Sequence, residues 1–293
     1  MEDKIITYGG QAVIEGVMMR GRNAFAIAMR APDGHIVVHK EGLAAVYRSR
    51  IAKIPFLRGV ILLWDALGLG MKALTLSANT QTGENEKLEG PALYLTLAVS
   101  LAIGVGLFIL LPAGVGGLAE HYLGWNNLAH NLLEGLMRLL LLVGYIWGIG
   151  FMPDVKRLFG YHGAEHKTIN AYEAGAELTP EIVARYPIEH PRCGTAFILT
   201  FVLLSVFVHS LLGDMTIIWR LASRVLLIPV IAGIAVEYIR WTANHLDSPL
   251  VRLLIKPNLA LQSLTTRQPD ASMLEVAIES FKTMRKAEHE FSV

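Results

Sequence analysis

Two imidazoles one helical turn apart, with a carboxylate beside them, are the groups in this sequence best suited to hold a metal ion. They lie in Tyr161-His162-Gly163-Ala164-Glu165-His166-Lys167. On an α-helix, side chains at i and i+4 stand one above the other, so His162 and His166 face the same way. At roughly 100° per residue, Glu173 falls angularly between them. Two imidazoles and a carboxylate suit zinc, with a fourth position left for water. A metal brings the pKa of such a water to about 7, and Glu165, adjacent to both histidines, is the candidate general base. The spacing H-x-x-E-H is that of the inverted zinc peptidases. Glu173 is nearer to the motif than the distal glutamate of those enzymes, which counts against shared ancestry. It also lies two turns from His166, so a further ligand is needed from elsewhere. His190-Pro191-Arg192-Cys193 offers one: an imidazole and a thiol, both accepted by zinc. If His162, His166, His190 and Cys193 all bind, the site is closed and structural. If three bind, it is open and able to catalyse. The spacing leaves both open, beside a plainer alternative in which the histidines form a polar helix face, Glu165 and Lys167 are solvated, and Cys193 is a small buried hydrophobe.

The elements that must position these groups belong to a membrane protein. Of the 293 residues, 53% are hydrophobic and only 17% charged, against about a quarter charged in soluble domains. The net charge of +1 carries no nucleic-acid footprint. A single cysteine excludes an intrachain disulfide and fits a reducing cytosolic face. Residues 1–10 contain no apolar core of a signal peptide. From 91 to 119 there is no Asp, Glu, Lys, Arg or His, enough to cross a bilayer as a helix. Further spans are expected at 132–152, 195–212 and 217–236, with Arg138 snorkelling to an interface. Arg220 and Arg224 in the last require pairing or an interfacial setting. His209, in the third span, is far from the cytoplasmic cluster. The 51–78 segment carries Arg58, Asp65 and Lys72 every seven residues on one stripe. It reads as an amphipathic helix on the membrane surface, or as a buried helix whose charges meet protein, followed by a polar linker from 79 to 89.

Basic residues set the orientation. They are dense before the first span, absent from 120–131, dense again from 153 to 194, and dense in the tail. That alternation places both termini in the cytoplasm, with Arg220 and Arg224 the discordant pair. The expected fold is an α-helical membrane bundle of about four spans with a small cytoplasmic α+β cap. Residues 1–50 form a β-rich module, 51–90 the interfacial helix and linker, 91–240 the bundle, and 241–293 a tail that packs on the module. Strands are expected at 24–29 and 35–39, joined by the turn Ala31-Pro32-Asp33-Gly34, with a third at 11–18. Glu15 in that strand supports the site or pairs with Arg20 or Arg58. Glu237 and Arg240 make a second layer around the site, or an i,i+3 pair. Pro249, Pro257 and Pro269 punctuate the tail. A helix at 272–286 is capped by Ser272, with Glu275 completing a capping box.

Several long motifs resemble the bacterial YqhQ-like proteins: the 9–21 segment GGQAVIEGVMMRG, residues 161–173, residues 190–195, and the 261–269 segment LQSLTTRQP. The resemblance runs over essentially the whole chain, with one departure at Lys256-Pro257-Asn258-Leu259, where glycine is expected after the proline. It implies a multi-pass membrane protein and a metal near the His-Glu motif. It implies no particular reaction. The resulting expectation is a zinc-dependent hydrolase, peptidase-like, at the cytoplasmic face of the inner membrane, acting on an unknown substrate or protein partner, with self-association open. The alternatives are a non-catalytic adaptor stapled by structural zinc, and a channel or transporter lined by Arg58, Asp65, Lys72 and His209. The absence of an internal repeat weighs against the last.

Overall fold

A computed structural model describes residues 8–44, 54–82, 90–213 and 215–291. The Asp65 side chain, linker residues 83–89 and the basic residues Lys4, Arg48, Arg50 and Lys53 lie outside the described set.

The N-terminal module is a four-stranded antiparallel meander, β1(Gly9–Val13), β2(Gly16–Arg20), β3(Ala24–Arg30) and β4(Ile36–Gly42), in the order β1-β2-β3-β4. The single strand expected at 11–18 is in fact a hairpin, with Val13 opposite Gly16. Its turn is Ile14-Glu15, with Glu15 left-handed at φ 52°. The Asn-Gly or Asp-Gly signal of such turns is absent, so the sequence reads straight through it. Period-two alternation serves both faces of the sheet. Val17, Met19, Ala26 and Ala28 join one core with Tyr161, Ala164, Phe281 and Met284. Met18, Phe25, Ile27 and Met29 join the other with Ala73.

Helix α1(Leu57–Gln81) covers that second face with its C-terminal half, through Leu69, Ala73, Leu74 and Leu76. It is long and apolar enough to cross a membrane, yet half of it lies on the cap. Its charged stripe meets protein: Arg58 pairs with Glu237, and Lys72 with Glu41 at 2.6 Å. Glu237 thus takes Arg58 as its hydrogen-bonded partner, with Arg240 adding a weaker attraction.

The apolar helices follow: α2(Gly90–Val105), a π turn at Gly106–Leu110, α3(Leu111–Leu123), α4(Asn127–Ile149), and, after two helices at Pro153–Glu173 and Pro180–Val183, α7(Gly194–Ser210), α8(Ile217–Leu226) and α9(Ile228–Ala243). Among the described residues, Leu93–Leu123 and Asn127–Ile149 have spanning length and hydropathy, as α1 does. The fourth expected span is a bent pair, with 42° between α8 and α9; Pro229 in the first turn of α9 removes a ladder N–H there. The third is a 17-residue helix, about 26 Å at 1.5 Å per residue. These features are compatible with a membrane protein.

The ionisable groups inside the bundle pair with one another. Arg224 and Arg138 both hold Glu134, each at 2.6 Å, and Arg220 holds Glu120 at 2.7 Å. Besides its pairing with Glu134, Arg138 donates through Nε to the carbonyl of Phe108 in the π turn, at 2.9 Å. The two arginines that break the charge alternation are thus neutralised within the bundle.

The remaining helices are α5(Pro153–Glu173), α6(Pro180–Val183), α10(Pro249–Thr265) and α11(Ala271–Glu290). Helix α10 runs through Pro257 instead of breaking there. Helix α11 lies on the sheet through Val276, Ala277, Phe281 and Met284. Its N-cap is Asp270, whose carboxylate accepts from the Met273 N–H at 2.9 Å. Ser272 donates instead to Asp270, and Glu275 pairs with Arg30, so the capping box expected from Ser272 and Glu275 does not form.

Candidate metal centre

Helix α5 opens with Pro153 at its first positions and carries the motif one face deep in the cap. His162 and His166 meet edge to face, with ring centroids 4.4 Å apart. The loop after α6 returns Cys193 to them, with Sγ 3.2 Å from His162 Nε2. One ligand atom from each of His162, His166 and Cys193 lies within 4.8 Å of the others. Tetrahedral zinc with arms of about 2.0–2.3 Å sets its ligands roughly 3.3–3.8 Å apart, so small side-chain rotations close such a shell.

The outer contacts decide which nitrogens are offered. His162 Nδ1 donates to the Thr265 carbonyl at 2.8 Å, and His166 Nδ1 to the Ile188 carbonyl at 2.7 Å. With the proton fixed on Nδ1, each Nε2 keeps its lone pair; this is the usual support of metal-bound histidine. His166 Nε2 is buried without a hydrogen-bond partner. Gly163 permits the close approach of α5 to the 265–267 segment, since a Cβ there would stand 2.2 Å from the Arg267 carbonyl oxygen.

Glu165 is buried on the adjacent face, against β1. A Cβ on Gly10 would meet its Cδ at 2.8 Å, so glycine is required there. Burial pushes its carboxyl up to about 7, opposed by the neighbouring His162 and by a hydrogen bond from the Gly10 N–H. Its Oε2 is buried and unpartnered. Lys167 is buried too, and donates to the carbonyls of Ala184 and Tyr186 at 2.9 and 2.7 Å. Neither side chain is part of a solvated face.

The other candidate ligands are engaged differently. Glu173, at the far end of α5, pairs with Arg192. His190 lies beside the cluster, its ring 5.4 Å from that of His166. Its backbone is clamped both ways by the Gln262 amide, each bond 2.9 Å. Arg192 Nη2 stands 3.3 Å from its Nε2. Burial, with His166, Arg192 and His162 adding to it, holds the His190 imidazole well below its ordinary value. Glu15 bonds Arg157 at 2.6 Å and accepts from the Tyr161 hydroxyl at 3.2 Å, so its partner is neither Arg20 nor Arg58.

Cys193 also borders a cavity of about 470 Å³ between β1, α1, α7 and α9, with Arg20, Arg192 and Arg240 in its lining. Sequence reasoning missed this cavity, and it missed Gln262 and the Thr265 carbonyl as supports, although both lie in the distinctive 261–269 segment.

A family profile described as "Protein of unknown function (DUF1385)" matches residues 54–287. The chain belongs to this family. It is 38% identical over 298 residues to "Uncharacterized protein YqhQ" of Bacillus subtilis (strain 168), covering 96% of this chain and 93% of that protein. No solved structure matches. The DUF1385 match begins after the sheet and takes in every ligand candidate, while the YqhQ alignment spans nearly the whole chain.

Proposed function

We propose that this DUF1385 protein is a zinc-dependent hydrolase of the inner membrane, with its termini and its site on the cytoplasmic side. The supporting observation is that one ligand atom each from His162, His166 and Cys193 lies within 4.8 Å of the others, while both Nδ1 atoms are tied to backbone carbonyls. Two imidazoles and a thiol are a zinc donor set, and three protein ligands leave a position open. The Arg192 guanidinium beside His190 Nε2 disfavours that imidazole as a fourth ligand. A cavity borders the donor set at Cys193.

When bound, zinc would acidify a water and polarise the scissile group. Glu165 would take the proton from that water and return it to the leaving group, so that one water adds across the broken bond. His162, His166 and Cys193 hold the donor set, and the Thr265 and Ile188 carbonyls keep the imidazoles in the required tautomer.

A structural zinc that staples an adaptor is the alternative. It is favoured by the way the cluster ties α5 to α10 through Thr265, and to the first turn of α7, where Cys193 Sγ accepts from the Thr195 N–H at 3.4 Å. Metal analysis of purified wild type, His162→Ala and His166→Ala tests the centre itself, and equal zinc in all three overturns both readings. Complementation of a deletion strain then separates them. The hydrolase requires that Glu165→Gln keep zinc and lose function, whereas full function in that variant favours the adaptor.

A further inference from the structure

We propose that Arg192 is a positioning residue that keeps His190 out of the metal shell, so that a coordination position stays open, and that Glu173 holds Arg192 in that role. This rests on the zinc-centre reading and deepens it. It assigns how the open position is kept, whatever reaction takes place there.

His190 is the imidazole next in line. It is buried, and its ring lies 5.4 Å from that of His166. Its main chain is fixed on two sides. The Cys193 N–H donates to the His190 carbonyl at 3.3 Å, which closes the turn His190-Pro191-Arg192-Cys193. Pro191 stands at the second position of that turn, where its fixed φ is favoured. Gln262 takes both the N–H and the carbonyl of His190. With the backbone held, only the side-chain torsions decide where Nε2 points.

The lone pairs separate the three histidines. A neutral imidazole has one ring nitrogen with a lone pair, and a metal and a hydrogen-bond donor compete for it. At His162 and His166 the outer contacts are carbonyls, which only accept, so each Nδ1 carries the proton and each Nε2 is left to a metal. At His190 the contact is of opposite kind. Arg192 Nη2 stands 3.3 Å from Nε2, and guanidinium only donates, so the lone pair that a metal would use is taken. The same Nη2 meets the Glu173 carboxylate. A charge-assisted bond of this kind is about twice as strong as a neutral one, and it anchors the guanidinium over His190. Glu173 thus shares the angular face of the histidines and acts through Arg192. The residue between His190 and Cys193 in the turn decides which of the two is offered to a metal.

The test uses the full chain in neutral detergent, loaded with cobalt(II) in place of zinc, with azide as a small anion that occupies an open position. Azide is expected to shift the visible bands of wild type saturably. Arg192→Leu releases His190 Nε2. It is expected to hold metal about tenfold tighter by chelator competition and to lose the azide response. Glu173→Leu, which frees Arg192 from its anchor, is expected to weaken the azide response in the same direction. Arg192→Lys keeps a donor beside Nε2 and is expected to behave as wild type. His190→Ala is expected to keep wild-type metal affinity, and to restore the azide response when combined with Arg192→Leu. Wild-type azide affinity in both Arg192→Leu and Glu173→Leu overturns the role of Arg192 and leaves the hydrolase standing. So does tenfold weaker metal binding in His190→Ala, which would make His190 a ligand already, and this measurement decides even where Arg192→Leu does not fold. A wild type that binds cobalt but no azide has no open position and overturns the proposal together with the hydrolase. Responses as expected, with full function in Glu165→Gln, sink only the hydrolase.

Discussion

His162 Nε2 stands 3.2 Å from Cys193 Sγ, although 31 residues of chain separate them. The contact joins the middle of α5 to the cap of α7, and no local periodicity relates the two. If the sulfur ligates, cobalt substituted for zinc should show a thiolate-to-metal charge-transfer band in the near-ultraviolet. Cys193→Ser should lose that band and bind metal at least tenfold more weakly by chelator competition. A band that persists in Cys193→Ser removes the sulfur from the shell.

Glu173 gives a contrasting expectation. It shares the angular face of the histidines, yet its carboxylate is engaged with Arg192. Glu173→Gln is therefore expected to retain wild-type zinc stoichiometry. Its cost should be modest, about 1 kcal/mol or less for a pair that is still partly solvated, read as a small drop in melting temperature. Loss of zinc in this variant would bring Glu173 back as a ligand.

The pattern of what was legible follows the range of the forces. The His162/His166 pair, the sheet, the apolar helices and the paired requirement of Arg220 and Arg224 all follow from periodicity or from the cost of burying charge. The hairpin turn at Ile14-Glu15 was hidden because tertiary contacts, and not turn residues, fix it: Glu15 holds Arg157 and Tyr161 across the fold. The helix cap was misplaced by two residues because Asp270 and Ser272 are both good caps, and only the geometry selects between them. The α1 assignment depended on what lay opposite its charges. Glu237 and Glu41, its partners, are remote in sequence. The outer contacts of the imidazoles are backbone carbonyls, which no side-chain pattern announces.

The Glu15–Arg157 pair makes a pH prediction. The Arg157 guanidinium, helped by the Tyr161 hydroxyl, holds the Glu15 carboxyl below its ordinary value of 4.5. A depressed carboxylate contributes stability that is complete above the unfolded value and is lost as pH falls through the folded one. The loss therefore begins near 4.5 and continues below it. Arg157 is half exposed, so screening limits the contribution to about 0.5–1 kcal/mol. Thermal melts of Glu15→Gln in detergent should sit below wild type at pH 7 and converge with it in the acid limb. Parallel curves across that range would show that the pair does not titrate with folding.

The largest single effect is expected at Glu134, deep in the apolar bundle. Its side chain is 3% exposed, and its two oxygens accept from Arg138 and from Arg224, the closest bonds 2.6 Å. Arg138 in turn satisfies the Phe108 carbonyl, in a π turn whose backbone departs from the regular helical ladder. Removing Glu134 thus strands two cations and loosens the group that holds the turn. Breaking a buried pair by deleting one partner costs about 3–5 kcal/mol, because the remaining charge is left uncompensated. Glu134→Ala should lower the detergent melting temperature far more than Arg220→Ala, whose partner Glu120 is 36% exposed and can turn to solvent. Glu134→Gln should fall between them, keeping an acceptor but losing the charge. Equal melting of Glu134→Ala and wild type would mean that the arginines find water or lipid headgroups instead, and that the bundle is held by apolar packing alone.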